Sequence, residues 1–289
     1  MTHISTLIAD INYLLTRKDG WFTEELSNSF AQEVTLRLSD KFNAGERKPT
    51  LRLSKMGPRC PCALWHSIHR PDLEEPLPPG AEFKYSYGHI IEALAIALAK
   101  AAGHEVLGEQ SAVEVDGISG HRDCIIDGCV VDVKSTTSHY LQAFKTGEIR
   151  FQDSFGYLDQ LDGYLVGSSY DPLVTNKDRG YLLAIDKTLG HMVLYEHEKR
   201  EESIRNRIAT YKTIVSKSEA PQCQCGTRPH GKSGNIELDV RASYDSFKYA
   251  CFPHLRKFLY SNGPVYLTKV TRKLDVPEVD RHGRIVYLP

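Results

Sequence analysis

The 289-residue chain lacks any apolar run approaching the ~20 residues of a bilayer span, so no membrane-spanning helix is expected. It also lacks net charge: 36 Lys and Arg stand against 37 Asp and Glu, a formal charge of −1. Any nucleic-acid surface must therefore be a local patch and not a global field. The start, Met1-Thr-His-Ile-Ser5, has neither a basic n-region nor an apolar h-region, so no signal peptide is expected. Seven cysteines are an odd, scattered set in a chain this long. They argue against a disulfide framework and for a reducing, cytoplasmic setting with buried thiols or a metal site. Internal repeats and low-complexity tracts are absent as well.

What remains is an ordinary globular composition, 41% hydrophobic and 25% charged, enough for one large domain or two small ones. Residues 5–18 and 21–43 read as helices broken at Lys18-Asp-Gly20. The clearest helix runs from Glu82 to Ala102, with Ile90, Ile91, Leu94, Ile96 and Leu98 on a broad apolar surface. Strand character follows from Gly103 to Val115, then helices at 136–147 and 151–167, strands at 179–186 and 192–196, and a charged amphipathic helix at 199–217. A loop at 221–234 carries Cys223, Cys225 and His230, and a helix is expected over 244–260, interrupted near Pro253. The segment 263–289 is the most basic of the chain. This order predicts an α/β (α+β) fold, a small mixed β-sheet flanked by helices. The expected organisation is an N-terminal helical segment at 1–50, a core at 51–262 and a basic C-terminal extension at 263–289 packed on that core.

The densest chemical signal is the stretch Gly120-His-Arg-Asp-Cys-Ile-Ile-Asp-Gly-Cys-Val-Val-Asp-Val-Lys-Ser135. Asp127-Gly128 is a strong two-residue hairpin signal, because a type I′ turn needs positive φ at both central positions. With that turn, Ile126 faces Cys129, Ile125 faces Val130, Cys124 faces Val131 and Asp123 faces Asp132. Like charges directly opposed on a ladder are destabilising, so two facing aspartates make sense around a cation. Lys134 lies two residues beyond Asp132 and points to the same face, as would His121 opposite it. The competing reading is a surface hairpin with a Lys–Asp salt bridge. Against it, Cys-Ile-Ile and Cys-Val-Val are buried-strand sequence, and a charged cluster inside an apolar hairpin is more often a site.

Three weaker candidate groups surround this one. Glu92 sits in the apolar run His-Ile-Ile-Glu-Ala-Leu, where a carboxylate needs a partner or a metal, unless it lies on the wet edge of its helix. Gln160 and Tyr164 share a helix face, which an ordinary amphipathic surface also explains. Arg52, Ser54, Lys55 and Arg59 are phosphate-type donors, although from the residues alone a solvated loop accounts for them better.

In order and spacing, Gly88-x-x-x-Glu92, Gly120-x-x-Asp123, Asp132-Val-Lys134 and Gln160-x-x-x-Tyr164 resemble the PD-(D/E)XK nucleases, and within them the RecB-type branch of phages and of CRISPR adaptation. The resemblance covers about residues 51–289. It implies a restriction-endonuclease-like core and a set of site roles. Glu92, Asp123, Asp132 and the Val133 carbonyl would ligate Mg²⁺ or Mn²⁺. Lys134 would act on the attacking water or on the developing charge, and Gln160 and Tyr164 would orient it. Arg52, Ser54 and Lys55 would hold a terminal phosphate. Many such relatives hold an iron–sulfur cluster with one cysteine before the first motif and a C-terminal Cys-x2-Cys-x5-Cys. Here only Cys60 and Cys251 match, and the intervening positions are Ala242 and Asp245. The resemblance therefore implies a member without the cluster, with Cys223 and Cys225 as substitutes, or a zinc site with His230, as the alternatives. The expected function is a metal-dependent exonuclease on duplex DNA ends, in phage recombination or DNA breakdown in a host cytoplasm, with a recombination protein or further copies of the chain as partners. A structure-selective endonuclease and a non-catalytic nucleic-acid-binding protein are the competing functions.

Overall fold

The computed structural model describes residues 2–43, 45 and 48–286. The parts of segments 1–50 and 263–289 that fall at 1, 44, 46–47 and 287–289 lie outside the described residues. In chain order the elements are α1 (Leu7–Thr16), α2 (Glu24–Phe42), α3 (Pro61–His69), α4 (Pro79–Ala101), β1 (Val106–Leu107), β2 (Ala112–Val115), β3 (Ile118–His121), β4 (Cys124–Ile126), β5 (Cys129–Thr136), α5 (Ser138–Thr146), α6 (Ile149–Gln152), α7 (Tyr157–Gly167), β6 (Arg179–Asp186), β7 (Met192–Glu198), α8 (Glu201–Val215), β8 (Thr227–Pro229), β9 (Ile236–Leu238), α9 (Val240–Tyr244), α10 (Lys248–Cys251), β10 (Arg256–Tyr260), β11 (Gly263–Lys269) and β12 (Glu278–Val279). They form two compact units, Met1–Gly57 with Pro78–Ile208, and Pro58–Leu77 with Ala209–Pro289. This division differs from the expected boundaries at 50/51 and 262/263, because the second unit combines two distant stretches of chain.

The first unit is the expected mixed sheet flanked by helices. Its strand order is β1-β4-β5-β6-β7, with β5 and β6 parallel and the other pairs antiparallel. β5 is central because Cys-Val-Val-Asp-Val-Lys-Ser-Thr is a β-branched run that tolerates burial on both faces. On one face, Cys124, Ile126, Cys129, Val131 and Val133 pack against Ile96 and Ala99 of α4 and against Leu7 and Ile11 of α1. Part of the N-terminal segment is thus core. The other face meets α7: a side chain at Gly180 on β6 would run into Leu161 and Leu165. The crossover from β5 to its parallel neighbour β6 carries α5, α6 and α7, which lays α7 across the sheet beside β5. The expected single helix at 151–167 is broken before α7 because the Asp153 carboxylate accepts the N–H groups of Gly156, Tyr157 and Leu158. That cap requires Gly156 at φ +75°, where a Cβ would lie 2.0 Å from Cα of Gly57.

The second unit holds an antiparallel sheet of order β12-β10-β11-β9-β8, with Leu238, Phe258, Leu267 and Val279 buried. Two expectations change here. The helix over 244–260 gives way to the short α10 and then to β10, since Pro253 interrupts helical bonding and buried Phe258 sits between less buried neighbours at strand period. The stretch after 263 is no extension: β11 is the middle strand of this sheet.

Candidate active site

The hairpin forms in the expected register. Asp127 and Gly128 have φ of 49° and 75°, and Cys124, Ile125 and Ile126 pair with Val131, Val130 and Cys129. The ladder stops at Cys124. Beyond it the carboxylate of Asp123 takes over as acceptor, receiving the N–H of Val133 at 2.7 Å, so Asp123 lies beside β5 at Asp132. Asp132 is fully buried. Two residues on, Lys134 Nζ lies 2.6 Å from Asp132 Oδ2, donates to Gln160 Oε1 at 3.1 Å, and stands 4.9 Å over the ring of Tyr157.

Helix α7 supplies the opposite wall. Gln160 and Tyr164, one turn apart, face β5 as expected. The Gln160 amide donates to Asp132 Oδ1 at 3.2 Å and to the Tyr164 hydroxyl at 2.8 Å while accepting from Lys134. With acceptor and both donor directions engaged, its orientation is fixed.

Glu92 is buried on α4, not on a wet edge. Its Oε1 accepts from Arg37 Nη1 at 2.5 Å and from Gln110 Nε2 at 2.8 Å, and its carboxyl interacts electrostatically with that of Asp123. Arg37 is itself buried. Sequence reasoning missed both Arg37 and Gln110. Arg37 lies among charged residues on α2, and Gln110 in a turn with φ of 52°. Neither position carries a pattern that points fifty or even eighteen residues away.

Electrostatics follow from this crowding. Burial, then the charge of Glu92, pushes Asp123 up to about 7. Burial and the charge of Asp123 push Asp132 up to about 7 against the pull of Lys134. Burial also raises Glu92, with Arg37 opposing. Burial works against the Lys134 ammonium, but Asp132 and Asp123 outweigh it and hold the group protonated above its ordinary range. Three carboxylates therefore share one patch, with Asp123 and Asp132 protonating near 7 and Glu92 raised as well unless positive charge is added. Oxygen donors of this kind suit a hard divalent cation.

The phosphate-type candidates separate. Leu53, fully buried, anchors the 3-10 turn Leu53–Lys55 against Gly120 and Gly163, which brings Arg52, Ser54 and Lys55 beside β3 and α7. Arg59 belongs to the other unit, where it pairs with Asp245 at 3.7 Å and its N–H donates to Tyr211. His121 departs from the expected place opposite Lys134. It is exposed and pairs with Ala112 in a separate two-stranded β2–β3 ladder. The strand breaks at Arg122-Asp123 because the buried Arg122 guanidinium turns to Ser168 Oγ at 2.8 Å and to Asp171.

Of the cysteine alternatives, the structure brings together the one with Cys223 and Cys225. Cys60, Cys223, Cys225 and Cys251 come together, their Sγ atoms all within 4.8 Å of one another. Cys223 and Cys225 thus stand where Ala242 and Asp245 left a gap in the sequence pattern. His230 is not of this group: its ring contacts Glu237 at 2.7 Å and Tyr260 at 3.4 Å.

No family model matches the chain. No curated protein matches it either. Among solved structures, one described only as SSO0001 is 15% identical with a TM-score of 0.42, covering 80% of this chain and 97% of its own. An alkaline exonuclease from Laribacter hongkongensis is 14% identical with a TM-score of 0.29, covering 73% and 84%. Likeness at these scores is no basis for assigning a function. Among the described residues no helix is long and apolar enough to cross a membrane.

Proposed function

We propose that this site is the active site of a metal-dependent DNA nuclease, acting as an exonuclease from DNA ends. The observation that carries the reading is the convergence of Glu92, Asp123 and Asp132 on a protonated Lys134 locked by Gln160. The order and spacing of the four sequence motifs support the same reading independently. Glu92, Asp123, Asp132 and the Val133 carbonyl would hold Mg²⁺ or Mn²⁺. Bound there, such an ion supplies a Lewis acid for the phosphoryl oxygen and a water of lowered pKa.

The protein's own groups then have distinct tasks. Lys134, kept charged by Asp132, donates to a phosphoryl oxygen as negative charge builds on it. Gln160 positions Lys134 and Asp132 together, and Tyr164 holds Gln160. Arg37 and Gln110 hold the Glu92 carboxylate in place, and the Arg37 charge opposes the rise that burial imposes on it. Arg52, Ser54 and Lys55, beside the anchored Leu53, would take a terminal phosphate, a role that favours action at ends over internal cutting.

The test is incubation of linear and covalently closed circular duplex DNA with Mg²⁺, Mn²⁺ or EDTA. Metal-dependent loss of the linear form alone is the expected result. Cutting of circles makes the protein an endonuclease on the same core. Binding of both without cleavage makes it a non-catalytic nucleic-acid-binding protein.

A further inference from the structure

We propose that Cys60, Cys223, Cys225 and Cys251 bind a single Zn²⁺ ion in a closed, structural site of the second unit. The distances carry this. Zn–S bonds of about 2.3 Å in a tetrahedron put the sulfurs roughly 3.8 Å apart. Here Cys60 Sγ and Cys223 Sγ are 3.9 Å apart, and all four sulfurs fit within 4.8 Å. A disulfide needs about 2.05 Å, so the Cys60–Cys223 pair is not bonded. A four-iron cluster gives each thiolate its own iron and therefore spreads the sulfurs farther apart than one ion does. The geometry thus points away from the iron–sulfur cluster of the RecB-type nucleases.

The surroundings agree. Cys60 precedes α3, whose first residue is Pro61, and Cys251 ends α10. The N–H of Gln224 donates to Cys60 Sγ at 3.3 Å, and that of Cys225 to Cys223 Sγ at 3.5 Å, which suits sulfurs carrying negative charge. Phe247 and Ala63 pack around the group. Four protein thiolates fill a tetrahedral ion and leave no position for substrate, so the site is structural.

Its task follows from the chain path. Cys60 comes from the stretch Pro58–Leu77, and the other three from Ala209–Pro289, the two stretches that make up this unit. One ion ties them together, and its binding energy becomes folding energy for the unit. This inference does not depend on the nuclease reading.

The experiment is elemental analysis with acid-labile sulfide assay on protein purified anaerobically, followed by Co²⁺ titration of the chelator-stripped chain. One Zn per chain, no iron or sulfide, and Co²⁺ bands of tetrahedral thiolate ligation at a 1:1 endpoint are expected. Cys225→Ser should lose those bands or shift them, and stripping should lower the melting temperature of wild type. Iron with sulfide in a ratio of one to one, or no zinc together with no Co²⁺ uptake by wild type, overturns the proposal. If Cys225→Ser does not fold, the wild-type titration alone decides.

Discussion

Replacing Asp123 by Asn should stabilise the metal-free protein at pH 7.5 and do much less at pH 4.5. Both aspartates are pushed from 3.8 to about 7. An acid whose folded pKa is raised carries no penalty while both states are protonated, below about pH 4. Between 3.8 and about 7 the unfolded chain has released the proton that the native chain retains, so stability falls as pH rises, and the full penalty stands above 7. At about 1.4 kcal/mol per pK unit the penalty reaches about 4 kcal/mol for one isolated aspartate. Asp123 is half-buried and shares its repulsion with Asp132 and Glu92, so solvent screening and coupling reduce what one replacement recovers to roughly 2 kcal/mol. The Asn oxygen still accepts the Val133 N–H, and the substitution keeps the shape of the side chain. Urea melts in EDTA at the two pH values measure the difference directly. Mg²⁺ should then stabilise wild type more than the variant. A variant less stable than wild type at pH 7.5, or an unchanged gap at both pH values, would refute the argument that these carboxylates repel one another around a cation position.

Two further substitutions probe the walls of the site. Leu53→Ala removes a fully buried side chain under the Arg52–Lys55 turn and should cost about 2–5 kcal/mol in a urea melt, with a smaller loss arguing that the turn is not anchored. Arg37→Met strands the Glu92 carboxylate without its cation and should cost about 3 kcal/mol at pH 8. That loss should shrink toward pH 5 as Glu92 takes up a proton, and a loss that stays constant with pH would show that Arg37 acts by packing alone.

How much of this was legible in the sequence depends on how far each signal reaches. The hairpin register was, because Asp127-Gly128 fixes a turn and period-two alternation fixes the faces. The shared face of Gln160 and Tyr164 followed from helix period, while their meeting with Lys134 was implied only by the resemblance. His121 was misplaced because alternation was carried across a break that the buried Arg122 imposes. Arg37 left no trace, since its partner lies on α4, and Cys223 and Cys225 stood only as one alternative because spacing does not say which distant loop returns to Cys60. The strand β10 was read as helix because alternation over five residues, Arg256 to Tyr260, is too short to outweigh the helix-like stretch before Pro253.

The most direct test of the central claim compares wild type with Lys134→Ala on one linear duplex, measuring hydrolysis in Mg²⁺ and DNA affinity on the same preparations. The account predicts a fall in hydrolysis of at least about 100-fold with affinity largely kept, the loss expected when a group that stabilises transition-state charge is removed. A variant that hydrolyses DNA at the wild-type rate would contradict it.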